Sequence, residues 1–179
     1  MDAGPLPDLT SYRRKLSRSS LILAAFIAVV SVATSALLSS RSAGDPLPEN
    51  APPEAVPVLV AKVIDGDTLD VRSAETTIRV RLYGVDTPER SEACYAEATQ
   101  RLTALAGERV LLIPDRRQAD QYGRELRYVY TNSAESIDEA LIREGLARAW
   151  REDGSRRDAL VALEEQARAA KTGCLWSGD

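Results

Sequence analysis

The sequence predicts an α+β fold, a small five-stranded β-barrel of OB type with three packed helices, preceded by an amino-terminal membrane or signal helix and a proline-rich linker. Three observations predict it. Five short β-like segments fall between residues 58 and 131, a helical segment separates the third from the fourth, and two more helices follow the fifth. Ahead of them stands an uncharged 18-residue run, Leu21–Leu38. Between the two lies a stretch with no apolar period that carries Pro46, Pro48, Pro52, Pro53 and Pro57.

The amino-terminal run is near the minimum length for crossing a bilayer as a helix. Arg13, Arg14, Lys15 and Arg18 precede it, and Arg41 alone follows closely. This bias predicts residues 1–20 in the cytoplasm, 21–38 as the membrane or signal helix, 39–56 as a linker and 57–179 as a domain outside the cytoplasm. Small residues at Thr34 and Ala36, or at Ala33 and Ser35, resemble a signal-peptide cleavage site. The long lead before the apolar run favours an uncleaved anchor, and both readings export the domain.

Strands are predicted at Val58–Ile64, Thr68–Arg72, Thr77–Tyr83, Arg109–Pro114 and Leu126–Thr131. In the third, Ile78, Val80 and Leu82 share one face, and Arg79, Arg81 and Tyr83 the other. Asp65-Gly66-Asp67 is the turn between the first two. Helices are predicted over Ser91–Ala106, from a Ser136/Glu139 capping box to Gly145, and over Arg156–Lys171 with Leu160, Leu163 and Ala167 inward. Cys94 and Cys174 are an even pair in an exported domain, which favours a disulfide over two buried thiols.

Composition narrows the chemistry. At 44% hydrophobic and 28% charged the chain is globular in class. Residues 1–43 carry a net +3 against the whole-chain −4, which leaves −7 for the remainder. An acidic domain has no general pull on nucleic acid, so phosphate binding must come from a few placed arginines. The absence of histidine excludes Ser–His and Cys–His nucleophiles and His-containing zinc sites. Catalysis is left to carboxylates, arginines and a hard cation held by oxygen.

Two clusters supply such groups. Asp65, Asp67 and Asp86 sit at predicted strand ends, where side chains converge at a barrel rim, and carboxylates so placed repel unless a cation lies among them. Glu89 follows Asp86 after a proline-fixed turn and is a free carboxylate for proton abstraction. Arg81 and Arg124 can grip phosphate oxygens in bidentate fashion. Each alone has a plain alternative as a solvated rim charge or ion pair.

The ordered set goes further. Asp65-Gly66-Asp67-Thr68, Arg81-Leu82-Tyr83-Gly84-Val85-Asp86-Thr87-Pro88-Glu89, Asp120-Gln121-Tyr122-Gly123-Arg124 and Gly145-Leu146-Ala147 together resemble the staphylococcal nuclease (thermonuclease) family over residues 57–176. The resemblance implies a calcium-dependent endonuclease that hydrolyses DNA or RNA on the 5′-oxygen side and leaves 3′-phosphates. It implies Asp67 and Asp86 as calcium ligands through carboxylates and Thr87 through its carbonyl, with Asp65 acting through water. Glu89 would be the general base, Arg81 and Arg124 the ligands of the scissile phosphate, and Tyr122 part of the nucleotide pocket. Nucleic acid is the implied partner, the implied setting a bacterial membrane with the domain outside or, after cleavage, secretion; nothing in the sequence points beyond a monomer.

Gln121 departs from the lysine of the best-known member, and that member's base-stacking tyrosine has no clear match, which leaves the nearby Trp150 as the candidate platform. The segment after Glu89 has Arg90 but no lysine cluster. Arg79 is expected as an ion-paired strand residue, Asp120 and Glu125 as supports of the Arg124 turn, and Trp176 as a packed tail residue. The rival reading is a silent barrel that binds nucleic acid or protein; such a module would be expected to lack some of these carboxylates or arginines, and all are present.

Overall fold

The computed structural model describes residues 47–73 and 75–178, which fall within the compact unit Asp45–Asp179. The apolar run 21–38 and its basic flank lie outside the described residues. Among the described residues no helix is long and apolar enough to cross a membrane.

Five strands close a barrel in the order β1-β2-β3-β6-β5. They are β1 (Val56–Val63), β2 (Thr68–Ser73), β3 (Thr76–Leu82), β5 (Arg109–Ala119) and β6 (Glu125–Thr131). All pairings are antiparallel except β3 with β6, where Val80 faces Glu125. That parallel closure needs a long connection, and helix α1 (Tyr95–Ala106) lies within it. Leu69, Val71, Val80, Leu82, Val110 and Val129 are fully buried in the resulting core. Each such side chain contributes about 1.5–3 kcal/mol of transfer free energy. The five-stranded barrel and its three main helices are those expected.

The differences have local causes. Ala55 is buried, Ala51 packs against the core, and the Asn50 side chain donates to the Ser133 carbonyl. The chain is therefore docked before residue 57, because its alanines fit against the barrel where prolines alone suggested a free linker. Helix α1 begins at Tyr95, four residues later than expected, because Cys94 adopts a left-handed φ of 72° that no helical turn can contain. Strand β5 runs past Pro114 to Ala119: the proline interrupts the ladder, and pairing resumes at Ala119 with Glu125. Its last residues form an arm that reaches the site described below.

Helix α2 (Ile137–Arg143) starts at Ser136, whose Oγ accepts the Glu139 N–H at 3.3 Å. The return bond of a capping box is missing, since the Glu139 carboxylate pairs with Arg143 and Arg156 instead. Helix α3 (Arg157–Ala169) turns Leu160, Glu164 and Ala167 inward, so the buried member of the second turn is an acid and Leu163 is only half-buried. A short helix α4 (Gly173–Trp176) and a two-stranded sheet, β4 (Val85–Asp86) with β7 (Arg148–Ala149), were not expected. Both strands of that sheet have two residues, below any periodicity a sequence can display.

Cys94 and Cys174 form a disulfide that ties α4 to the start of α1 across 80 residues of chain. Loop-closure entropy over that span is worth about 4 kcal/mol. Replacing both cysteines with alanine is expected to lower the denaturant midpoint by a corresponding amount without changing far-UV circular dichroism; an unchanged midpoint would show that the tail is held by packing alone.

Candidate active site

The site is assembled from β3, β4 and the two turns that flank the barrel rim. Arg81, near the end of β3, is buried, yet its guanidinium has a partner on nearly every side. Nε pairs with Asp67 Oδ1 and Nη2 with Asp86 Oδ1, each at 3.0 Å. Nη1 donates to the carbonyls of Leu82 and Val85. One cation thus holds together two carboxylates that otherwise repel. Breaking a buried arrangement of this kind from one side leaves an uncompensated charge, at a cost of about 3–5 kcal/mol.

Asp67 is fixed further. Its Oδ2 accepts both the backbone N–H and the hydroxyl of Thr87 at 2.9 Å, and its Oδ1 accepts the Thr68 hydroxyl at 3.1 Å. Gly66 makes this approach possible, since a Cβ there would sit 2.7 Å from Thr87 Oγ1 and 2.8 Å from the Ala98 Cβ. Asp65 lies beside it and accepts the Asp67 N–H. Burial first, and then the negative charge of Asp67, hold the Asp65 carboxyl above the usual carboxylate range. Burial likewise raises Asp86; Arg81 opposes this, while Asp67 and Glu92 add to it.

The three acids lie close together at the rim, and all their donors are oxygen. That set fits a hard divalent cation in kind: Asp67 and Asp86 through carboxylates, Thr87 through its carbonyl and Asp65 through water. Among the described residues no three acids, cysteines or histidines already converge as a finished metal cage, and the Arg81 guanidinium is the charge that bridges Asp67 and Asp86. Thr87 meets Asp67 through its N–H and hydroxyl.

Arg124 stands across the rim. Asp120 accepts from its Nε at 2.6 Å and from the backbone N–H groups of Tyr122 and Arg124, which fixes the β5–β6 turn. These bonds overcome burial and hold the Asp120 carboxyl low. Arg124 Nη1 lies 3.5 Å from the Thr68 hydroxyl, so a polar chain runs Arg124–Thr68–Asp67–Thr87. Asp120 supports the turn as expected, whereas Glu125 pairs with Arg127.

Arg81 and Arg124 line one open pocket with Tyr83, Arg117, Asp120 and Trp150. Trp150 is half-buried and its indole N–H donates to Asp153 at 2.9 Å. Tyr122 is absent from that wall; it projects from the turn at 76% exposure with the Arg124 guanidinium over its ring. Glu89 is exposed on the loop after β4, where its backbone N–H donates to Glu92 Oε2. Arg79 is an exposed partner of Asp70. Trp176 is buried in the carboxyl-terminal packing between Arg148 and Arg168.

Two residues that position the site escaped the sequence reading. Asp138, on α2, is fully buried and accepts the N–H groups of Gly84 (Oδ1) and Val129 (Oδ2), both at 3.0 Å. Glu164, on α3, accepts the Ala149 N–H at 2.9 Å and pairs with Arg151. Gly84 precedes β4 and Ala149 lies in β7, and the Trp150 N–H donates to the Gly84 carbonyl. The helices therefore clamp the small sheet that carries Asp86. Gly84 must be glycine for this clamp to close, since a Cβ would come within 2.3 Å of Leu160 Cδ1. A usable signal existed: Glu164 falls on the stripe of Leu160 and Ala167, where a solvated acid has no place.

Comparison with known proteins agrees with this architecture. The profile of staphylococcal nuclease homologues matches residues 79–178. The ParB protein of Escherichia coli is 35% identical over 127 residues, covering 66% of this chain and 71% of its own. The micrococcal nuclease of Shigella flexneri is 35% identical over 127 residues, 66% of this chain and 72% of its own. The thermonuclease of Staphylococcus intermedius is 43% identical over 98 residues, 51% of this chain and 58% of its own. With this fold, this rim and these matches, the chain belongs to the staphylococcal nuclease family.

Proposed function

We propose that the protein is a calcium-dependent endonuclease that hydrolyses phosphodiester bonds of DNA or RNA and leaves 3′-phosphate ends. The observation that carries the reading is Arg81: a buried guanidinium bound to Asp67 and Asp86 that also lines, with Arg124, an open pocket. Its relatives include proteins named micrococcal nuclease and thermonuclease, which supports the same class of reaction.

In this mechanism Arg81 and Arg124 bind the non-bridging oxygens of the scissile phosphate and neutralise the charge that builds on them. Glu89 takes a proton from the attacking water, the new P–O bond forms, and the bond to the 5′ oxygen breaks, that oxygen taking a proton from solvent. Asp67, Asp86 and the Thr87 carbonyl would hold calcium, with Asp65 reaching it through water; the bound ion supplies charge neutralisation at the phosphate and lowers the pKa of nearby water. The contacts from Thr68, Thr87 and Arg81 hold the Asp67 side chain in place at the rim.

A placement outside the cytoplasm belongs to this proposal. The disulfide and the apolar run 21–38 both suit an exported, membrane-tethered or secreted domain, where calcium near millimolar fills a weak site.

The test uses the full chain with single-stranded and duplex DNA, in calcium and in chelator, together with thermal melting. Cutting that appears only with calcium, and a calcium-dependent rise in Tm that Asp67→Asn removes, is the expected outcome. At a free calcium concentration a hundredfold above Kd, the added stability is about 2.7 kcal/mol. Cutting that is indifferent to chelator, or a Tm rise retained by Asp67→Asn, would sink the metal assignment.

A further inference from the structure

Arg117 lies on the arm of β5 beyond Pro114, outside every motif singled out in the sequence, yet it lines the same pocket as Arg81 and Arg124. Its Nε and Nη2 donate to the two oxygens of Asp153 at 2.8 and 3.0 Å, and its guanidinium sits 5.4 Å from the centre of the Tyr83 ring. Asp153 also accepts the indole N–H of Trp150. One carboxylate therefore fixes both a cation and an aromatic side chain on the wall of the pocket. Bonds from Arg117, Trp150 and Tyr83 outweigh the partial burial of Asp153 and keep it ionised.

A plain ion pair would serve only to tie the β5 arm to the loop before α3. Both side chains of the pair are about two-fifths exposed, at 39% and 40%, and such a pair contributes about 1 kcal/mol or less. The arrangement is better suited to ligand binding. A guanidinium has five N–H donors, and Asp153 and Tyr83 leave some of them unused. Arg81 is the most committed of the pocket cations, since it serves two carboxylates and two carbonyls. With a net charge of −7 over residues 44–179, a third placed arginine matters.

We propose that Arg117, held by Asp153, binds a phosphate next to the one that is cut, while the base between the two phosphates lies on Trp150. This makes Arg117 a determinant of affinity for polynucleotide, separate from the chemistry at Arg81, and it rests on the nuclease reading above. Aromatic stacking beside a cation suits a single strand whose bases are free to leave the helix.

The experiment compares wild type with Arg117→Gln and Arg117→Lys, as full chains in calcium, on two substrates. One is a single-stranded 12-mer, the other a minimal phosphodiester with a single phosphate and a chromogenic leaving group. Loss of one charged hydrogen-bonding partner predicts a KM for the 12-mer about 10-fold higher in Arg117→Gln, with kcat within about twofold and the minimal substrate unaffected. The slope of log kcat/KM against log salt is expected to become shallower by about 0.7 in Arg117→Gln and to be restored in Arg117→Lys. An unchanged KM for the 12-mer, or an equal rise on both substrates, would overturn the assignment. Should wild type cut neither substrate, the nuclease reading falls, and fluorescence anisotropy with a labelled 12-mer decides the ligand role. Weaker binding by Arg117→Gln then sustains it, and equal or absent binding overturns it.

Discussion

Glu89→Gln is expected to lower kcat by about 10²–10⁴-fold, the range by which a placed general base accelerates proton transfer. The variant should melt within about 1 °C of wild type, because exposed substitutions away from buried networks seldom change stability by more than a few tenths of a kcal/mol. That separation is what makes the residue informative. Its carboxylate is exposed and has no hydrogen bond or ion pair among the described residues, so removing its charge strands no partner. Arg81 offers no such clean reading. Its removal leaves Asp67 and Asp86 facing each other, and lost activity could come from a disturbed loop as easily as from lost phosphate binding. Steady-state kinetics on single-stranded DNA, with melting of the same samples, gives the answer. Activity retained by Glu89→Gln would assign the proton to another group, and a fall in Tm of several degrees would make Glu89 part of the loop's support.

Much of the site was legible because its chemistry is local in sequence. Asp65, Asp67, Arg81, Asp86 and Thr87 occupy turns and strand ends where motif and position coincide, and the folded chain brings them into mutual contact. The barrel was legible for a similar reason: alternation in residues such as Ile78, Val80 and Leu82 survives without any partner strand in view. What escaped depends on distant partners. The β4–β7 pair is two residues long on each side and exists because Asp138 and Glu164 reach it from helices 54 and 15 residues away from the groups they bind. The alternation also fails at the end of β3 and just beyond it, where Arg81 and Tyr83 are buried although the pattern puts them on the polar face. Arg81 goes inward because two carboxylates and two carbonyls await it, and Tyr83 because it stacks on Tyr128 with ring centres 5.3 Å apart. Arg117 was hidden by Pro114, which ends a regular ladder but not the extended chain.

Asp138→Ala is the substitution expected to damage the protein most. Two backbone N–H groups, those of Gly84 and Val129, would lose their acceptor in a fully buried place, each at about 1–3 kcal/mol. For a domain of this size that corresponds to a fall in Tm on the order of 10 °C or more. Activity should fall as well under conditions where the variant is still folded, because Gly84 leads directly into Val85 and Asp86. Asp138→Asn isolates the electrostatic part. Burial pushes the Asp138 carboxyl up to about 6, against the hydrogen bonds from Val129 and Gly84 and the attraction of Arg156, whereas in the unfolded chain it titrates near 3.8. The folded state therefore holds the proton more tightly. Its contribution to stability is fully present below about pH 4 and is lost as pH rises through 6, a change on the order of 3 kcal/mol. Wild type should accordingly lose stability relative to Asp138→Asn between pH 4 and pH 7, since the amide cannot titrate and every other group is common to both. Urea melts of the two proteins at several pH values measure that difference directly. A difference that stays constant across the range would mean that the two backbone N–H groups stabilise the carboxylate enough to cancel its desolvation, and Asp138 would then act as a permanently charged clamp on the loop that carries Asp86.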